Sequence, residues 1–159
     1  MSNHRSKPAH YEETILGITL DEIIGELPYW LGAAFKYVWR AEKKNGAEDI
    51  IKALDVTTRA EGKGGLELTS YTAKCFRSLT ALRHEYDLRQ RCIGLLSVRT
   101  LLWAGEYMNL SEETRENNDF ILYRSLSRYL VQLHWEEKKE APRCRKQPTS
   151  SRLEQHPLP

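Results

Sequence analysis

The dipeptide Asn45-Gly46 constrains the fold of this chain more than any other feature. It stands between two stretches of helical periodicity and supplies the positive backbone dihedral that a helix stop requires. Before it, at about 100° per residue, Leu31, Ala34, Phe35, Val38 and Ala41 share one sector, and Lys36, Arg40, Lys43 and Lys44 share the opposite one. After it, Ile50, Ile51 and Leu54 lie on one side. The other side holds Glu48 with Lys52 and Asp55 with Arg59, each pair four apart with the acid first, the favourable order. Two such helices, over about residues 29–44 and 47–61, joined by a short link make an antiparallel hairpin.

The rest of the chain is read outward from that hairpin. Thr19-Leu20-Asp21-Glu22 fits a capping box and opens a helix that runs to about Leu27, where Pro28 interrupts it. Gly62-Lys63-Gly64-Gly65 breaks the chain and reads as a linker. From Thr69 onward Tyr71, Cys75, Leu79 and Leu82, then Cys92, Leu95, Leu96, Leu102 and Trp103, recur at helical spacing. One bent helix and two helices broken near Tyr86-Asp87 fit that pattern equally well. Ser111-Glu112-Glu113 caps a short turn, and a final helix over about residues 118–139 carries Ile121, Leu122, Leu126, Tyr129, Leu130 and Leu133. Leu66-Glu67-Leu68 gives a weak strand hint. The expected fold is all-α: a disordered lead at residues 1–7, a helical module at 8–62, a helical extension at 66–140 packed on it, and a disordered, proline-rich tail at 141–159.

Composition bounds the function. A chain of 159 residues forms one compact domain with a core, and 40% hydrophobic with 29% charged residues is ordinary for a soluble globular protein. A formal charge of +2 is too small for non-specific DNA binding, so nucleic acid is not expected as a partner. Cys75, Cys92 and Cys144 lack CxxC or Cys/His metal spacing, and the first two lie on apolar helix faces, which points to reduced, buried thiols in a cytoplasmic setting. The N-terminus has no apolar run, and no stretch is long enough to cross a bilayer.

The cationic sector is where chemistry is expected. Tyr37 and Trp39 flank Lys36, Arg40, Lys43 and Lys44, and planar rings beside clustered ammonium and guanidinium groups suit a nucleotide, the base stacked and the phosphates paired. The arginines Arg83, Arg89, Arg91 and Arg99 alternate with Glu85 and Asp87, and an intramolecular salt-bridge lattice accounts for them as well as a partner does.

Three blocks, Pro8-x-His10-Tyr11, Lys36-Tyr37-x-x-Arg40-Ala41-x-Lys43-Lys44 and Asp49-x-x-Lys52-Ala53, together resemble the signature of a phage-associated family. That family is mostly an uncharacterised domain, and it includes a coliphage nucleotide kinase lacking a conventional phosphate loop. The resemblance covers about residues 8–60. It implies a phage- or prophage-type protein that binds a nucleotide or other phosphate-bearing small molecule, with phosphorylation of deoxynucleoside monophosphates as the activity to test. His10, Tyr11, Lys36, Tyr37, Trp39, Arg40, Lys43, Lys44 and Lys52 are the candidate binding residues. Phosphoryl transfer without the loop needs cations for the phosphates and a carboxylate for Mg²⁺, for which Asp49 or Glu48 is the candidate. The glycines at 62–65 lack the spacing of GxxxxGK[ST]. The acids Asp21, Glu22 and Glu26, then Glu48, Asp49 and Asp55, lack the spacing of an all-α pyrophosphatase.

Each candidate has a plainer reading. The cations suit the solvated face of an amphipathic helix. Asp49 suits a first-turn acid favoured by the helix dipole. His10 and Tyr11 suit a lead-in packed on the hairpin, and Tyr37 and Trp39 suit half-buried rings at its edge. Three function classes follow: a nucleotide-binding enzyme, a non-catalytic accessory protein that binds a nucleotide signal or a host protein, and a homo-oligomerisation module built on the C-terminal helices.

Overall fold

The computed structural model describes residues 8–60, 66–85, 87–105 and 110–140. The expected lead at 1–7, the break at 62–65 and the tail at 141–159 lie outside them. The elements run α1 (Ala9–Glu12), β1 (Thr14–Ile15), β2 (Ile18–Thr19), α2 (Leu20–Ile24), α3 (Tyr29–Arg40), α4 (Ala47–Ala60), α5 (Ser70–Thr80), α6 (Leu88–Trp103) and α7 (Glu112–Glu140). The fold is mostly helical, as the periodicity requires, with one departure. Thr14 pairs with Thr19 and Ile15 with Ile18 in an antiparallel hairpin whose two turn residues, Leu16 (φ 54°) and Gly17 (φ 75°), are both left-handed. Two left-handed residues match the twist of flanking strands, and the hairpin buries Ile15 and Ile18 against the core. Leu66-Glu67-Leu68 forms no strand.

Local signals set most boundaries. The Thr19 side chain accepts from the Glu22 amide at 3.3 Å, and the Glu22 carboxylate accepts from the Thr19 amide at 2.6 Å, so the capping box forms. α2 stops at Ile24, a few residues short of the expected end, and Pro28 sits at the N-cap of α3. α3 ends at Arg40 and tightens into a 3₁₀ turn over Ala41–Lys43. Gly46 (φ 52°) then donates its amide to the Ala41 carbonyl at 2.7 Å and reverses the chain. The Arg40 end of α3 touches the Asp49 end of α4, and the Arg59 end of α4 stacks on Trp30, 5.6 Å from its ring centre. The hairpin is therefore antiparallel.

Of the two readings of the middle of the chain, two helices is correct. α5 runs into a 3₁₀ turn at Ala81–His84, and α6 restarts with Asp87 accepting from the Gln90 amide at 2.8 Å; Tyr86 lies outside the described residues. α6 is the central element, buried from Cys92 through Leu101 on every side. It approaches the preceding turn at Gly94, where a Cβ would lie 2.4 Å from the Arg83 amide nitrogen, so no larger residue fits without moving backbone. Ser111 caps the long final helix itself, accepting from the Thr114 amide at 3.2 Å, so α7 starts earlier than expected and spans 29 residues.

The module and the extension share one core. Phe35 of α3 meets Phe76 of α5 with ring centres 5.4 Å apart, and Leu122, Leu126 and Tyr129 of α7 close the far side. Arg99 of α6 donates to Asp119 of α7 at 2.8 Å and stacks on Trp103, 4.7 Å from its ring centre. Cys75 and Cys92 are buried free thiols, and burial pushes the Cys92 thiol up to about 12, which leaves it an inert packing group; Cys144 lies outside the described residues. Among the described residues, no helix is long and apolar enough to cross a membrane.

Candidate functional site

The turn between α3 and α4 divides its charged groups into a buried set and an exposed set. Arg40, at the last position of α3, donates from Nε to Asp49 at 2.9 Å and from Nη2 to the other oxygen of Asp49 at 3.1 Å. Its remaining nitrogen, Nη1, donates to the Tyr11 hydroxyl at 2.8 Å. Asn45 also donates to Asp49 at 3.1 Å. Asp49 is fully buried and Arg40 nearly so. A planar guanidinium matches a carboxylate at two points at once, which makes this a charge-assisted contact of the strong kind. The three blocks of the sequence signature thus meet at one point: Tyr11 from the first, Arg40 from the second and Asp49 from the third.

A second cluster lies beside it. Glu13 accepts from Arg89 of α6 at 2.6 and 3.2 Å and pairs with Lys43 at 3.3 Å. Arg89 also donates to the Trp39 carbonyl at 2.9 Å, one of the carbonyls that the end of α3 leaves without a helical partner, and lies 3.5 Å from Glu42. Burial works to raise the Glu13 carboxyl, but the hydrogen bonds and charges of Arg89 and Lys43 outweigh it and hold the group below its ordinary range. Of the four middle-region arginines, Arg89 and Arg99 pair with acids distant in sequence, Glu13 and Asp119, whereas Arg83 donates to His84 at 2.9 Å and the Nε of Arg91 is buried without a hydrogen-bond partner among the described residues.

These pairings bear on the candidate residues one by one. Arg40 is engaged within the fold, with Nε and Nη2 on Asp49 and Nη1 on Tyr11. Asp49 does not fit Mg²⁺: one oxygen accepts from Arg40 and Asn45, the other from Arg40, and a metal would have to displace them in a site with no solvent access. Among the described residues, no group of three His, Cys, Asp or Glu is placed to hold a metal ion. Trp39 is fully buried in the core, so its ring has no face left for a base. Lys43 is drawn to Glu13, and Lys52 pairs with Glu48 four residues before it on α4. His10 lies in α1, and its side chain is outside the described atoms.

What stays open is narrower than the sequence stripe. Lys36 lies over the Tyr11 ring, 5.7 Å from its centre, and neither Lys36 nor Lys44 has an acid partner among the described residues. Burial raises the Tyr11 hydroxyl, but the Arg40 hydrogen bond and the charges of Arg40, Lys36 and Lys44 outweigh it, so its pKa is lowered. Arg40 bonds the hydroxyl itself, whereas Lys36 and Lys44 act on it through their charge. Arg40 also lies 5.1 Å from the centre of the Tyr37 ring. Lys36 and Tyr37 then turn into a cleft of about 430 Å³ whose other walls are Ile24, Leu27, Tyr29, Gly32 and Ala33. Its volume falls within the range of small-molecule sites. Tyr29 is 75% exposed, its ring set edge-on to Trp30 with centres 5.0 Å apart. Sequence reasoning missed Tyr29 and this cleft, because the break between α2 and α3 that opens it left no mark beyond Pro28.

Residues 5–56 match the family described as a protein of unknown function (DUF3310), so the chain carries such a domain over about a third of its length. No curated protein and no solved structure matches the chain. The matched segment contains the Tyr11–Arg40–Asp49 cluster and most of α4; α5, α6 and α7 lie beyond it.

Proposed function

We propose that this chain is a non-catalytic binding protein for a phosphate-bearing nucleotide, held across Lys36 and Lys44 with its base in the cleft beside Tyr29 and Tyr37. The observation that carries this reading is the position of Lys36. It is at once a wall of the cleft and a cation lying over the Tyr11 ring, so a phosphate there lies within reach of a base seated among Ile24, Leu27 and the two tyrosines. Apolar walls with a few convergent polar groups are what such sites offer, and an exposed ring beside unpaired ammonium groups suits stacking plus charge pairing. The nucleotide as ligand class, and a phage- or prophage-type accessory role, also draw on the resemblance of the three signature blocks. The kinase reading has less support, because of the two acids it offers to Mg²⁺ Asp49 is committed to Arg40 and Glu48 pairs with Lys52.

The test is a thermal-shift panel of deoxynucleoside mono-, di- and triphosphates, with and without Mg²⁺. A ligand that binds only the native form raises its melting temperature, by an amount that grows with concentration. At least one nucleotide is expected to do so, and Lys36→Ala is expected to weaken it about tenfold, equivalent to about 1.4 kcal/mol. No shift at millimolar nucleotide would overturn the reading. Formation of a diphosphate from ATP and a monophosphate would overturn its non-catalytic part.

A further inference from the structure

The outer face of α7 carries a line of exposed large apolar side chains with two arginines among them. At about 100° per residue, Phe120, Arg124, Ser127, Arg128, Val131 and Trp135 fall within one sector, opposite the sector in which Leu122, Leu126 and Tyr129 enter the core. Phe120 is 63% exposed, Val131 55% and Trp135 61%. Large apolar side chains left in water along one line mark an interaction surface more often than scattered ones do. Between Phe120 and Trp135 the sequence holds no acid, and Arg124 and Arg128 make no ion pair among the described residues. A shallow groove of about 540 Å³ runs beside them, walled by Leu88 of α6 and by Arg124, Ser127, Arg128, Val131 and Gln132.

From these observations we infer that this face docks an acidic amphipathic helix of another protein, its apolar residues on Phe120, Val131 and Trp135 and its carboxylates on Arg124 and Arg128. The stripe spans about 22 Å at 1.5 Å per residue, the length of a four-turn helix. Helix-in-groove recognition uses anchors at such spacings. Charge selects the occupant. In a second copy packed on the same face with the two stripes in register, Arg124 and Arg128 of the two chains would meet in a band without acids, and like charges there oppose assembly. A short helix with its own carboxylates avoids that conflict and meets both the arginines and the apolar anchors.

The experiment uses the full chain and a fluorescent, N-acetylated 18-residue helical peptide with leucines spaced to meet the three anchors and glutamates between them. Its control is the same peptide with every Glu replaced by Lys. Anisotropy is expected to show micromolar binding of the Glu peptide and at least tenfold weaker binding of the Lys peptide. The double variant Arg124→Glu/Arg128→Glu, whose replaced side chains have no ion-pair partners among the described residues, is expected to keep its melting temperature and reverse the preference. Trp135→Ser should weaken the Glu peptide at least fivefold. Equal binding of the two peptides, or no binding, overturns the inference. So does a dimer seen by light scattering that Trp135→Ser abolishes, or an oligothymidylate that competes with the Glu peptide.

Discussion

Arg40 and Lys36 stand one helical turn apart on α3, and the fold uses them in opposite ways. Arg40 is drawn inside, where Asp49, Asn45 and Tyr11 surround it. Lys36 stays at the surface, over a tyrosine ring and at the mouth of a cleft. The difference teaches that a run of cations on one helix is not one site. A guanidinium forms several hydrogen bonds in a plane and tolerates burial when a carboxylate meets it, whereas an ammonium on a flexible stem keeps its water. Here that divides a structural clasp from a face open to ligand.

The sharpest way to break the comparison is to remove the buried member. Arg40→Ala leaves Asp49 charged and without solvent, and losing one partner of a buried pair typically costs about 3–5 kcal/mol. Denaturant unfolding is expected to show a loss of that size, whereas a ligand-only role for Arg40 would leave the midpoint unchanged. A smaller effect is expected at Glu13, which ties the lead-in to α6. Glu13→Gln should cost about 2 kcal/mol at neutral pH.

The same residue carries a pH dependence. Its folded carboxyl titrates below the ordinary 4.5, so between the two values the unfolded chain binds more protons than the native one. The contribution of Glu13 is complete above pH 4.5 and is lost as pH falls through the folded value. Melting temperatures taken from pH 6 down to pH 3 should fall less steeply in Glu13→Gln than in the parent. At the small end stands Lys52→Ala. The Lys52–Glu48 pair is exposed, and such pairs contribute little, so no resolvable change in melting temperature is expected.

Much of the scaffold was readable before any coordinates. The Thr19/Glu22 capping box, the Asn45-Gly46 reversal and the Glu48–Lys52 and Asp55–Arg59 pairs depend on residues at most four apart, and each forms as local rules require. The Ile15-Leu16-Gly17-Ile18 hairpin escaped notice because strands of two residues are too short to show a period, although a residue-Gly pair between β-branched neighbours was its signal. The wheel of α3 alone places Trp39 beside the cations; it is buried because α6 also packs on that helix, which the periodicity of α3 does not reveal. The Arg40–Asp49 clasp crosses a turn, and the Arg89–Glu13 bridge joins distant segments, so spacing rules within one helix reach neither. Both were needed to see that the candidate face shrinks to Tyr11, Lys36, Tyr37 and Lys44.

The most direct measurement of the central claim is titration calorimetry of the best nucleotide from the thermal-shift panel against the parent protein and the Lys36→Ala/Lys44→Ala variant. Unchanged melting temperature with at least a tenfold loss of affinity in the variant is the predicted result. Equal affinity in the two proteins would contradict it and would leave these lysines as ordinary solvated surface.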